Sequence, residues 1–167
     1  MEQTYSKTKL IIIRKAKIKD IHQIVLFALN LLKYHQNLDS YFSPVKNVGD
    51  LYNKLFRRCI HSKNRYLLVA EINNKIVGYA LGETKLRSPV YNKRKIGFIS
   101  DIFVDNNYRQ RGIAKKFIMK FNIWFKDKKL EYVELTVHAK NNIANKTWEK
   151  YGFKNYLFMK KIKLGTK

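Results

Sequence analysis

Cysteine occurs once, at position 59, and proline twice, at positions 44 and 89. A single thiol excludes a disulfide framework and any zinc site built from several cysteines. With two prolines and seven glycines in 167 residues there is no Pro/Gly-rich linker, and no repeat or low-complexity tract occurs. Acidic residues are also scarce, 12 against 35 Lys and Arg, which leaves a formal charge of +23. Long apolar runs are missing: Ile24 to Leu32 is interrupted by Asn30 and is too short to span a bilayer. Leu10–Ile13 is too short for a signal-peptide core and is flanked by basic residues. The four histidines, His22, His35, His61 and His138, have no metal-ligand spacing, so no metal is expected. These absences together predict a cytoplasmic domain with no membrane contact.

What is present is enough for a core. A 46% hydrophobic and 14% aromatic content excludes a disordered basic tail. The length fits one domain over residues 1–167, able to bury about two thirds of its unfolded surface. The basic excess invites a polyanion reading. It is mostly lysine, however, scattered from Lys7 to Lys167 without five consecutive like charges. That pattern is a solvated surface rather than a nucleic-acid arm.

Periodicity supplies the elements. Leu10–Arg14 reads as a strand, and Asp20 precedes a helix with Ile21, Ile24, Val25, Ala28, Leu31 and Leu32 at helical spacing. A polar-aromatic loop, His35–Pro44, leads to a second helix over Gly49–Ile60. Tyr66–Ile72 and Ile76–Thr84 form a hairpin through Asn73-Asn74-Lys75. Strand Ile96–Val104 and helix Gly112–Lys126 follow, then strand Glu131–His138, helix Asn141–Tyr151 and strand Tyr156–Ile162. The order is β-α-α-β-β-β-α-β-α-β, a mixed α/β fold.

The informative junction is Asp105-Asn-Asn-Tyr-Arg109-Gln110-Arg111-Gly112-Ile113-Ala114, between a strand and a helix. First-turn amides have no intrahelical acceptor and the helix dipole is positive there, so such a loop suits an anion. Gly112 allows close backbone approach, and Arg109 and Arg111 suit phosphate oxygens. The Gly-Lys-Ser/Thr ending of a Walker loop and the glycine triplet of a dinucleotide fold are both absent. Arg109-x-x-Gly112-x-Ala114 resembles the signature of the GNAT superfamily of acetyl-CoA-dependent N-acetyltransferases. Asn141, Ala144 and Gly152-Phe153 stand at that family's later offsets, and the element order matches over about residues 8 to 163.

The resemblance implies a mostly antiparallel central sheet flanked by helices and acetyl-CoA as cosubstrate. It implies that the main chain of Ile102, Phe103 and Val104 pairs with the pantetheine arm as an added strand. Arg109, Gln110, Arg111, Gly112, Ile113, Ala114 and Lys115 would wrap the pyrophosphate, and Asn141 would bond the pantetheine region. From the residues alone, Asn141 reads equally as a helix N-cap, and Phe103 as core. Relatives are often dimers, so a homodimer stays open.

Acetyl transfer needs a neutral amine, and neutralising a lysine-like one at pH 7 costs roughly 4–5 kcal/mol. Glu83 and Asp101 are the candidate bases. Many relatives carry a carboxylate pair where this chain has Ser100-Asp101. Asp39, Tyr41 and Phe42 lie in the loop that shapes the acceptor site in that family. Trp148 occupies the position where many relatives place an acidic tyrosine, and Tyr151, one turn on, is the candidate to replace it. The acceptor is expected to be a primary amine, with a small molecule favoured over a protein N-terminus or lysine. The competing reading is a non-enzymatic basic module for RNA or ribosomes on the same fold.

Overall fold

The computed structural model describes residues 10–165. They divide into two compact units, one ending at Thr136 and one beginning at Val137. The first unit contains β1 (Ile12–Lys15), α1 (Ile21–Leu38), α2 (Val48–His61), β2 (Arg65–Ile72), β3 (Lys75–Leu86), β4 (Lys95–Val104), α3 (Ile113–Asp127) and β5 (Val133–Leu135). The second contains α4 (Asn142–Lys150). The five strands form one sheet in chain order, antiparallel throughout except for the parallel pair β4–β5. The mixed, mostly antiparallel architecture is the expected one.

The β2–β3 hairpin turns on two residues, since Ile72 pairs with Lys75. Asn73 and Asn74 both take positive φ, 50° and 60°. This is the pattern of a type I′ turn, which matches strand twist and which asparagine tolerates. One face of the sheet packs Ile21, Ile24, Phe27 and Ala28 of α1 and Phe56 and Cys59 of α2 against Leu67, Val69, Tyr79 and Leu81. The other face receives α3. Gly82 and Gly97 lie where a Cβ would come within 2.8 Å of the Phe121 and Phe125 rings, respectively, so glycine lets both rings lie directly on the sheet. Each phenyl buried this way contributes roughly 1.5–3 kcal/mol. The helical spacing pointed to Trp124, but Phe125 is the buried residue; Trp124 packs beside Tyr66 with ring centroids 5.2 Å apart.

Two expectations need correction. β5 is three residues long rather than spanning Glu131–His138. No strand forms over Tyr156–Ile162, and among the described residues nothing regular follows α4. Tyr156, Leu157, Phe158 and Ile162 are exposed. Aromatic and β-branched residues favour strands by fitting a half-buried pleated surface, and these have none to fit.

At the sheet's β1 edge, Arg14 bridges two carboxylates. Its guanidinium donates to both Asp20 oxygens at 2.7 and 3.0 Å and to Glu71 at 2.8 Å, while the Lys17 N–H donates to Asp20 at 2.7 Å. Burial opposes ionisation of Asp20, and the Arg14 and Lys17 hydrogen bonds overcome it, holding the carboxyl below its ordinary range. Arg14→Met should therefore destabilise the protein by about 3 kcal/mol at pH 7 in urea melts, because it leaves a buried charge unpaired. A depressed carboxylate contributes stability above its unfolded pKa and loses it as pH falls through the folded value. The difference between variant and parent should accordingly narrow below about pH 4.

Candidate active site

The loop between β4 and α3 is short and tightly tied. Asp105 accepts from the Asn107 N–H at 3.0 Å, which sets a single 3-10 turn over Asn106–Tyr108. Gln110 and Gly112 then take positive φ, 61° and 75°, and Gly112 is the N-cap of α3. The first helical bond is the Lys116 N–H to the Gly112 carbonyl, so the amides of Ile113, Ala114 and Lys115 lie ahead of it. A Cβ built on Gly112 would meet nothing within 4 Å, so the space in front of these amides is open. Arg109 donates to the Val104 carbonyl at 3.1 Å and Arg111 to the Asn107 carbonyl at 3.2 Å. The Arg111 guanidinium also lies 5.3 Å from the Tyr108 ring centroid. Each guanidinium keeps further N–H donors beyond the bond that steers it. The Ile113 side chain is buried, so only its amide can serve a ligand. An exposed glycine at left-handed φ, helix-end amides and two anchored arginines fit a pyrophosphate.

β4 leads into this loop with one edge partly open. Its ladder with β5 covers only Gly97↔Val133 to Ile99↔Leu135, whereas its ladder with β3 continues to Gly78↔Val104. Residues 100–104 therefore run on beyond the β5 pairing. The Phe103 ring belongs to the α1 face, 5.0 Å from Phe27 and 6.4 Å from Tyr79.

Between Leu81 and Gly82 the β3–β4 register slips, so Ser100 is the extra residue of a β-bulge. The bulge brings Ser100 and Asp101 to the same side as Glu83. The Ser100 hydroxyl donates to Glu83 at 2.9 Å, and Arg65 and Lys85 reach the same carboxylate at 3.4 and 3.5 Å. Glu83 is thus committed to three partners. Asp101 has none of these cations. Burial, against the lowering effect of Tyr79 and helped by the charge of Glu83, pushes its carboxyl up to about 6. Around it lie Tyr52 and Cys59 of α2, both raised first by burial. Tyr79, Tyr52 and Arg65 were not singled out in the sequence; the one available signal was Tyr79, a hydroxyl within the apolar run Ile76-Val-Gly-Tyr-Ala-Leu81.

Over 121 residues the chain is 29% identical to a curated protein of Methanocaldococcus jannaschii, an uncharacterized N-acetyltransferase. That match takes in 72% of this chain, which spans about half (52%) of the relative's length. The model of the acetyltransferase (GNAT) family matches residues 31–153, well over half the chain. The chain belongs to the GNAT acetyltransferase family. Two solved structures share its fold. One is a tetramutant of a Bacillus halodurans protein, with TM-score 0.82 and 21% identity, covering 92% of this chain and 99% of that one. The other is a predicted acetyltransferase of Clostridium acetobutylicum with acetyl-CoA, with TM-score 0.72 and 20% identity, covering 92% and 96%.

Within the GNAT pattern the first unit holds the β4 end, the 109–115 loop, Glu83 and Asp101. Asp39, Tyr41 and Phe42 follow α1: the Asp39 carboxylate accepts from the Tyr41 N–H at 3.0 Å, and the Tyr41 and Phe42 rings meet edge to face. Asn141 and Tyr151 belong to the second unit. Asn141 is buried and accepts from the Ala144 N–H at 3.1 Å, so the N-cap reading holds. Tyr151 packs against Trp148 with centroids 6.5 Å apart, and Trp148 against Phe153 at 5.3 Å. Among the described residues no cluster of His, Cys, Asp and Glu could hold a metal, and no helix is long and apolar enough to cross a membrane.

Proposed function

We propose that this protein transfers the acetyl group of acetyl-CoA to a primary amine by direct attack within a ternary complex. The observation that carries the reading is the loop of Arg109 to Lys115, with its positive-φ Gln110 and Gly112 opening the N-terminus of α3. The loop amides and Arg109 and Arg111 would hold the pyrophosphate, and Lys115 would add charge. The main chain of Ile102, Phe103 and Val104 would pair with the pantetheine arm along the open edge of β4. An N–H near Val104 would stabilise the oxyanion. Asp101 is the better candidate base, because Glu83 is already engaged by Arg65, Lys85 and Ser100. For the second unit the reading keeps the family pattern, with Asn141 toward the pantetheine and Tyr151 as proton donor to the thiolate. A small-molecule amine is the favoured acceptor, and Asp39, Tyr41 and Phe42 are assigned to its binding.

Acetyl-CoA at a hundred times its Kd should stabilise the protein by about 2.7 kcal/mol, read as a rise in Tm. Gly112→Arg should abolish that rise by filling the open space before the amides, and should itself cost about 1–3 kcal/mol because position 112 needs positive φ. CoA release across spermidine, lysine, kanamycin and a peptide N-terminus then identifies the acceptor class. Salt-sensitive RNA binding with no acetyl-CoA stabilisation would overturn the assignment.

A further inference from the structure

We propose that Tyr79 is a positioning residue for the reaction: its buried hydroxyl sits beside the Asp101 carboxylate and holds it ready to take the proton of the attacking amine. This rests on the reading of Asp101 as the base. Packing does not require the Tyr79 hydroxyl. Tyr79 is completely buried, stacked with Phe103 and edge-on to Phe56. A phenylalanine would fill that space as well. Yet a phenolic oxygen is present, and it makes no hydrogen bond of normal length. Buried polar groups left this way are rare, and each calls for a reason.

The register supplies one. Tyr79 pairs with Phe103 and Leu81 with Asp101, so all four side chains point to the same face, two residues apart along each strand. The hydroxyl is close enough to Asp101 to draw its carboxyl downward, against the burial that pushes it up. An O–H donor favours the ionised acceptor, so the contact tightens as Asp101 loses its proton. The groups around the carboxylate are few. Cys59 and Tyr52 come from α2, and Glu83 and Tyr79 from β3, each interacting with Asp101; Ile24, Phe27 and Ala28 of α1 share the apolar core with Tyr79. Arg65, on β2, is bonded to Glu83, and it is the Tyr79 hydroxyl that lowers the Asp101 carboxyl.

In the step itself, the amine nitrogen loses its proton to an Asp101 oxygen as the nitrogen–carbon bond to the acetyl group forms. The carbon–sulfur bond then breaks and the thiolate departs. Tyr79 keeps its own proton throughout, because burial raises its pKa well above the ordinary value. Its hydroxyl first donates to the carboxylate, and the carboxylic acid formed later no longer draws on it as strongly.

Tyr79→Phe preserves ring volume and removes only the hydroxyl. In carbon-13 NMR titrations the Asp101 carboxyl, assigned with Asp101→Asn, should titrate about one pH unit higher in Tyr79→Phe than in the parent. The acid limb of kcat/KM, measured with whichever panel amine releases CoA fastest, should move up by the same amount. Activity at pH 6 should then fall about fivefold relative to the parent and converge at pH 8 and above. An unchanged Asp101 midpoint would overturn the proposal whatever the activity does. A midpoint that moves while the acid limb stays would overturn it too, since Asp101 would not be the base. Failure of the cofactor reading is seen separately, as absence of acetyl-CoA stabilisation, and leaves the NMR comparison intact.

Discussion

Asp101→Asn should make this protein more stable and nearly inactive at once. At pH 7.5 we expect kcat/KM to fall about 10²–10⁴-fold, the usual contribution of a positioned general base. Thermal or urea unfolding at the same pH should show a gain of about 1–3 kcal/mol. The gain follows from linkage. Burial raises the Asp101 carboxyl from 3.8 to about 6 in the folded protein. An acid so raised binds its proton more tightly folded than unfolded, so its presence favours folding least above the folded pKa. Stability attributable to Asp101 should fall as pH rises from about 4 to about 6 and stay low beyond. The shift of about two units corresponds to roughly 3 kcal/mol at most, and partial solvent access lowers it. Asparagine carries no such charge, so the variant should lack this slope. Activity retained in Asp101→Asn would move the base elsewhere and leave the stability gain standing.

The second large effect is expected at Gly78. A Cβ there would lie 2.6 Å from the Phe103 carbonyl oxygen and 3.3 Å from the Val104 Cα. Both are backbone atoms of β4, so the strand itself must move. Gly78→Ala should cost about 1–3 kcal/mol, as overpacking generally does. The displaced strand is the one proposed to pair with the pantetheine arm along its other edge, so acetyl-CoA stabilisation should shrink as well. Gly49→Ala is the control: it lies within α2, nothing comes within 4 Å of its Cβ, and alanine is the better helix former. If Gly78→Ala weakens folding but leaves the Kd for acetyl-CoA unchanged, the main chain of 103–104 is not part of the cofactor site.

The two candidate regions were not equally legible in the sequence. The proposed cofactor loop is contiguous, and Gly112, Arg109 and the start of α3 could be read from neighbours a few positions apart. The positive φ of Gln110 was not legible there, since glutamine has no special preference for it. The surroundings of Asp101 are assembled from α2, β2, β3 and β4, and one register slip decides them. Without the bulge at Ser100, that hydroxyl would lie on the opposite face from Glu83. No local pattern announces such a slip. Helices and most strands followed apolar periodicity because one face of each must be buried. Tyr156–Ile162 shows the converse: strand-forming residues declare a propensity, and only a partner strand turns it into structure.

The open edge of β4 has a consequence for how this site can change over generations. A pantetheine arm held there by main-chain groups, as proposed, would not read side-chain identity, so positions 102 and 104 could drift among apolar residues without altering what the strand offers. On that proposal only the shape of the chain would be under inspection there, and proline, which removes a donor and fixes φ, is the substitution it could not absorb. The specificity of the strand is thus written in its path rather than in its letters.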